Sequence, residues 1–320
     1  MTERLRDIHT AGTIPLFRGP TLNGLRCRGF PYDPSETEYI LEKMRKDDQR
    51  GRLLFVSTRV IADDEPLICC ATTAVKKLLP DRRFAEDRRI IRDGRFANLP
   101  MPKTDYYKPE LPTIKDIAER VIVLKKSYPH VPIKCTKRDI NSAFRQIRLR
   151  PDDASLFVTE FRGNILGLEY DIIVEYLVLS FGWTGSPGLF ASIAEIIARF
   201  LNLPARANPL WGGDHPFRSH LFAGDGILIE PDIAGRLEQS AATWGQGSFL
   251  VIGNDAPNKA KLTTEGIWNS LHIVLGYDVN FEDFAITLPG EKVVGAQVLI
   301  QSPCFKPGNR LISLRDVQEL

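Results

Sequence analysis

Two short apolar runs, His220–Ala223 and Ile227–Glu230, flank Gly224-Asp225-Gly226. Glycines on both sides of an acid, between segments of strand composition, spell a tight antiparallel hairpin with Asp225 at its tip. A chain holding this turn needs a sheet whose strands reverse locally, which excludes a helical bundle. A β-rich run, Ile133–Asp139, supplies a further strand that ends in an acid. Leu156–Thr159 and Leu168–Val174 read as two more strands, and Ile273–Leu288 as a late hairpin.

Helices separate these strands. Thr113 is placed to cap one whose apolar face is Ile114, Ile117, Val121 and Leu124. Ser186-Pro187 starts another, with Ser186 as cap, Pro187 at the first position and Phe190, Ile193, Ile197 and Phe200 on one face. A third spans about Ile233–Trp244. Residues 1–60, rich in turn formers, read as an irregular lobe; Leu99–Pro112 and Leu203–His220 read as loops. The spacing is not that of βαβ units. The fold class expected is therefore α+β, an antiparallel sheet backed by helices.

The chain has 320 residues, of which 43% are hydrophobic and 26% charged, enough to bury a core and too apolar for general disorder. The longest apolar stretch, near Ile172–Phe181, is broken by Glu175 and is too short for a membrane span, and the first residues carry no secretory signal. The cysteines, Cys27, Cys69, Cys70, Cys135 and Cys304, are odd in number and form no CxxC pair. That favours a reducing, intracellular site, cytoplasm or nucleus, over a disulfide framework or a zinc site. His130, His215, His220 and His272 lack metal-ligand spacing and read as structural or surface residues. The overall charge of +2 conceals an asymmetry: from Lys76 to Arg150, twenty Lys/Arg face nine Asp/Glu, a net of +11. A solvated, charge-mixed surface and a surface that grips a polyanion both accommodate it.

Three segments combine acids, glycines and aromatics: Asp139-Ile140-Asn141-Ser142-Ala143-Phe144, Phe181-Gly182-Trp183-Thr184-Gly185-Ser186-Pro187, and Phe222-Ala223-Gly224-Asp225. Singly they read as a strand end, a capped helix and a turn. Their order and spacing resemble the palm motifs of the reverse transcriptase family. Arg89-x-Ile91-x-Asp93-x-Arg95-x-x-Asn98 upstream is similar to the family's fingers strand, Asn258-x-x-Lys261 downstream to its fourth palm motif, and Leu275-Gly276-Tyr277 to the primer-grip entry. The resemblance covers about Arg88 to Leu288.

The resemblance implies a right-hand polymerase architecture: an irregular lobe over 1–60, fingers over 61–130, a palm over 131–288 with a fingers insertion near 145–180, and a truncated start of a thumb over 289–320. It implies nucleotide addition to a primer on an RNA or DNA template, with dNTPs as substrates, no membrane partner, and Mg²⁺ or Mn²⁺ as cofactor. Asp139, Ile140 and Asp225 would be the metal positions, and Asp139, Asp225 and Lys261 the catalytic set. Arg89 and Arg95 would meet the triphosphate, and Phe144, next to Ala143, would crowd a ribose 2′-OH. Gln146, Gly182, Gly185 and Ser186 would sit near nucleotide or template. Two hard cations roughly 3.5–4 Å apart ask for carboxylates from separate strands, the arrangement this spacing allows.

Plain alternatives stand beside these roles. Asp139 caps a turn, Phe144 is core, Arg89 and Arg95 are solvated charges, and either Lys259 or Lys261 is the relevant lysine. One departure is large: Gly224 stands where the family has the first of two adjacent acids. Glycines at 224 and 226 make the turn permissive enough for Asp225 to swing inward. Against this, neighbouring strand residues face opposite sides, so a one-place slip misaims the acid, and activity is expected to be impaired or absent. The chain also ends about 40 residues after Tyr277, short of a full thumb, as in a piece of a longer polyprotein. The competing reading is a catalytically dead relic of a mobile element that keeps a nucleic-acid-binding surface.

Overall fold

The computed structural model describes residues 2–15, 34–62, 67–78, 84–99, 101, 106–202, 211, 216–301 and 305. In chain order the elements are α1 (Thr2–Ala11), α2 (Pro34–Asp48), β1 (Leu53–Ser57), β2 (Thr72–Leu78), β3 (Phe84–Arg92), α3 (Arg95–Asn98), α4 (Ile114–Ser127), β4 (Ile133–Asp139), β5 (Val158–Phe161), α5 (Gly163–Leu166), β6 (Ile172–Tyr176), α6 (Ser186–Asn202), β7 (Ser219–Phe222), β8 (Asp225–Pro231), α7 (Arg236–Val251), α8 (Lys259–Leu262), β9 (Leu271–Val274), β10 (Tyr277–Asn280), β11 (Ala285–Thr287) and α9 (Gly290–Ile300). Each named strand pairs antiparallel with its neighbours, in small sheets ordered β1-β6-β5, β2-β3, β4-β8-β7 and β11-β10-β9. The fold is α+β.

The chain forms two compact units and crosses between them several times. The first unit holds Met1–Leu111, Ile140–Arg199 and Gln246–Pro257; the second holds Pro112–Asp139, Phe200–Gly245 and Asn258–Leu320. In the second unit α4 starts as its sequence dictates. Thr113 Oγ1 accepts from the Asp116 backbone N–H and the Asp116 carboxylate accepts from the Thr113 backbone N–H, a capping box. The apolar stripe of Ile117, Val121 and Leu124 then packs on Ile133, Cys135, Ile227 and Ile229 of β4 and β8, with Val274, Val279 and Phe281 closing the core. In the first unit, Leu67, Cys69, Val158 and Ile173 form one apolar cluster and Ile68, Cys70 and Ala97 another.

Several expectations need correction. Residues 1–60 are not uniformly irregular, since α1, α2 and β1 form there. Pro34 opens α2, where its missing N–H is harmless. Leu156 closes a short helical turn, Pro151–Leu156, before β5, and the strand expected at Leu168–Val174 is β6, four residues later. Ser186 lies within the first turn of α6, not outside it as a cap. Its hydroxyl turns back to donate to the Ser180 carbonyl at 2.8 Å. The helix expected at Ile233–Trp244 begins at Arg236 and runs to Val251. Most of the Leu203–His220 loop, parts of Leu99–Pro112, most of the segment after 301, His215, Cys27 and Cys304 lie outside the described residues. Among the described residues no helix is long and apolar enough to cross a membrane.

Candidate active site

The sheet of β4, β8 and β7 sets the geometry. β8 is its middle strand, and the register runs Cys135 opposite Ile229, Lys137 opposite Ile227 and Asp139 opposite Asp225. Directly paired residues of antiparallel strands share a face. Asp139 and Asp225 thus face one another at the end of the strands, on the side where Cys135 and Ile229 enter the core. Of the two orientations open to Asp225, the register gives the one that shares a face with Asp139. The turn is also one place earlier than expected: Ala223 and Gly224 form it, and Asp225 is already the first residue of β8.

Gly226 gives the physical reason. A Cβ there would lie 2.4 Å from Trp244 Nε1 and 3.0 Å from its Cε2, so only glycine fits under the indole. With position 226 pressed against α7, position 225 faces the other way. Ala223 absorbs the cost of the turn, at φ +52° in the left-handed region.

Around the two acids the second unit gathers donors. Lys261 Nζ lies 3.1 Å from Asp139 Oδ1, and Asn258 Nδ2 donates to Asp139 Oδ2 at 2.6 Å. The Asn258 backbone N–H also donates to the Asp139 carbonyl at 2.9 Å, which seats α8 against β4. Glu265 lies 3.9 Å from Lys261 and pairs with Lys137 at 3.1 Å. The structure thus distinguishes the two lysines: Lys261 reaches Asp139, whereas Lys259 is exposed. Burial, the hydrogen bond with Asp139 and the charge of Asp139 push the Asp225 carboxyl up to about 6. Burial pulls the Lys261 ammonium down, but Asp139, Glu265 and Asp225 outweigh it and leave it raised.

Among the described residues, no group of three or more His, Cys, Asp or Glu is placed to hold a metal ion. What the acids offer is a pair of facing carboxylates that repel one another, a donor set suited to one hard cation with water or substrate oxygens completing its shell. A second cation would lack a third carboxylate. Ile140 follows Asp139 directly; its hydrocarbon side chain has no ligating atom, so only its backbone carbonyl is available as a ligand.

The remaining expected site residues belong to the first unit. Phe144 lies in a single tight helical turn, Ala143–Gln146, half-buried, with ring centroids 5.1 Å from Phe181 and 5.6 Å from Phe190. Ser142 enters that turn in the left-handed region. Gln146 Nε2 donates to the Asn141 carbonyl at 2.8 Å. Gly182 has φ +91°, and a Cβ there would sit 2.5 Å from the Arg92 carbonyl oxygen. Asn98 clasps this turn: its Nδ2 donates to the Gly182 carbonyl at 2.8 Å and its Oδ1 accepts from the Thr184 N–H at 2.9 Å. Arg89 is exposed on β3, and Arg95 pairs with Asp93 at 2.6 Å while remaining 86% exposed. Gly185 leaves room for Trp183 and Tyr106, so it serves packing, as the buried Ser186 does.

Sequence reasoning overlooked Glu265. Its i+4 spacing from Lys261 was the available signal. It also overlooked a buried network in the second unit, where Glu230 meets Arg236 at 2.7 Å and Arg120 at 3.5 Å. Arg236 stacks on Trp211 and Phe217. No family model matches this chain, and no curated protein matches it.

Proposed function

We propose that the chain is a reverse transcriptase domain of right-hand polymerase type that adds deoxynucleotides to a primer on an RNA or DNA template. The observation that carries this reading is the placement of Asp139 opposite Asp225, with Lys261 on Asp139. Three motifs far apart in sequence, singled out by their order, spacing and resemblance to the family, supply one carboxylate pair and its lysine.

Asp139 and Asp225 would hold Mg²⁺ or Mn²⁺. Bound there, the cation would supply activation of the primer 3′-OH and neutralisation of phosphate charge. Lys261 carries a raised pKa, so it reaches the reaction protonated and is suited to neutralise or protonate departing pyrophosphate. The resemblance further assigns Arg89 and Arg95, with their guanidinium forks, to phosphate, Phe144 to the sugar, and Gln146 and Gly182 to nucleotide or template; these residues belong to the first unit. Arg95 must first exchange Asp93 for phosphate, an inexpensive step for so exposed a pair. Two carboxylates in place of three make the enzyme slow, on the order of 10²–10³-fold below a three-acid site. The reading further implies an intracellular site.

Primer extension on an RNA template with dNTPs and Mg²⁺ or Mn²⁺ tests it. Wild type is expected to extend slowly, and Asp139→Ala and Asp225→Asn to abolish extension. Gly224→Asp is expected to give little gain, because residue 224 lies in the turn and off the face that Asp225 shares with Asp139, so the added acid does not supply the third carboxylate. Absence of extension by wild type, with a gain in Gly224→Asp, would mean a polymerase disarmed at one residue. Absence in both would favour the second reading, a non-catalytic nucleic-acid-binding module. The +11 stretch accommodates that second reading as it does the first.

A further inference from the structure

We propose that Glu265 is a positioning residue for Lys261: it is the second seat of an ammonium group that must leave Asp139 when a divalent cation arrives. The inference rests on the metal reading above and deepens it by naming what regulates the same site.

Both oxygens of Asp139 carry donors, Lys261 Nζ on Oδ1 at 3.1 Å and Asn258 Nδ2 on Oδ2 at 2.6 Å. Lys261 is the site's own counter-ion. A divalent cation seated on Asp139 and Asp225 meets the ammonium as a like charge on the same carboxylate, and the two repel. Neutral Asn258 has no such conflict. Lys261 therefore needs another acceptor within the reach of its flexible stem.

Glu265 is placed for that. Its Oε1 is 3.9 Å from the same Nζ, too far for a hydrogen bond and within a small torsional swing of one. Its other oxygen is fixed by Lys137 Nζ at 3.1 Å, and its backbone carbonyl accepts from the Lys137 N–H at 3.2 Å. The acceptor is anchored to β4, one strand position pair from Asp139, while the lysine is free to move. The side chain of Lys261 is 42% exposed, so its pair with Asp139 is weak and exchanges readily. Among Lys137, Glu265, Lys261, Asp139 and Asp225, three acids and two lysines leave a net charge of −1. One divalent cation is enough to reverse it, and the shift of Lys261 to Glu265 keeps each ammonium on its own carboxylate.

Titration of the full chain with Mn²⁺, followed by the electron paramagnetic resonance signal of free Mn²⁺, tests this without any turnover. Asp139→Asn serves as the control that locates the bound ion. Lys261→Met is expected to tighten Mn²⁺ binding by roughly fivefold to tenfold. Glu265→Gln is expected to weaken it about fivefold in the wild-type background and less than about twofold in Lys261→Met, since a seat matters only when the lysine needs one. A purely electrostatic role for Glu265 predicts the same weakening in both backgrounds and overturns the inference. So does Mn²⁺ binding that depends on Asp139 yet is indifferent to Lys261→Met. Lys261→Gln gives the same readout where the methionine variant folds poorly. Absence of Asp139-dependent Mn²⁺ binding in every variant overturns the metal reading itself, and the inference with it.

Discussion

Gly226 decides where Asp225 points. Any side chain at 226 collides with Trp244, so the register of β8 has one solution and Asp225 lands opposite Asp139. Gly226→Ala is expected to destabilise the fold by about 1–3 kcal/mol, read as a lowered urea midpoint, and to lower Mn²⁺ affinity as the acids lose alignment. Phe144 is the second informative residue. Packed against Phe181 and Phe190, it satisfies the reading as core as well as the reading as sugar gate. Phe144→Ala separates them. A gate predicts a fall in the ratio of dNTP to rNTP incorporation, whereas a residue of packing alone predicts lost stability, about 1–3 kcal/mol for a half-buried ring, with the ratio unchanged.

At the scale of the element, each face of the β4-β8-β7 sheet carries apolar and charged residues together. On one side α4 and the β9-β10 hairpin close the core; at the far end of β8 the Arg120–Glu230–Arg236 network is almost wholly buried. Removing its acid leaves buried guanidinium groups without their counter-charge, the costly way to break such a network. His220 in β7 belongs to this neighbourhood. Burial first, then the charges of Arg218 and Arg120, push its imidazole down to about 4, against the pull of Asp116. The folded pKa is lower than the unfolded one, so neutral His220 favours folding above about pH 6.5. That stability is lost as pH falls toward 4. Wild type is expected to lose up to about 3 kcal/mol more than His220→Gln over this interval, measured as the pH dependence of the urea midpoint.

At the scale of the whole molecule, the chain divides its expected functions between units. Asp139, Asp225 and Lys261 belong to one, and Arg89, Arg95, Phe144, Gln146, Gly182 and Ser186 to the other. The +11 stretch from Lys76 to Arg150 passes through both. Not all of that charge is free for a polyanion, because Arg92 and Arg120 are buried and committed inside the fold. Binding to single-stranded or primer–template nucleic acid is expected to weaken about 10²–10⁴-fold between 50 and 200 mM salt, for roughly five to eight phosphate contacts. Asp139→Ala is expected to leave that slope unchanged. A flat salt dependence would remove the nucleic-acid partner from either functional reading.

Local chemistry was legible in the sequence. Thr113 and Asp116 cap α4 because their spacing satisfies the helix's first N–H groups, and the apolar faces of α4 and α6 follow from a 3.6-residue period. The hairpin before β8, the strand ending at Asp139 and the α+β class follow from patterns a few residues long. The aim of Asp225 did not. Alternation along one strand says that residues 224 and 225 face opposite ways, but which of them faces Asp139 depends on Trp244 pressing on Gly226, a contact between residues 18 positions apart. The choice of Lys261 over Lys259 likewise depends on where α8 is seated by Asn258 and the Asp139 backbone. Periodicity determined which groups this protein has to offer; long-range packing decided which of them meet.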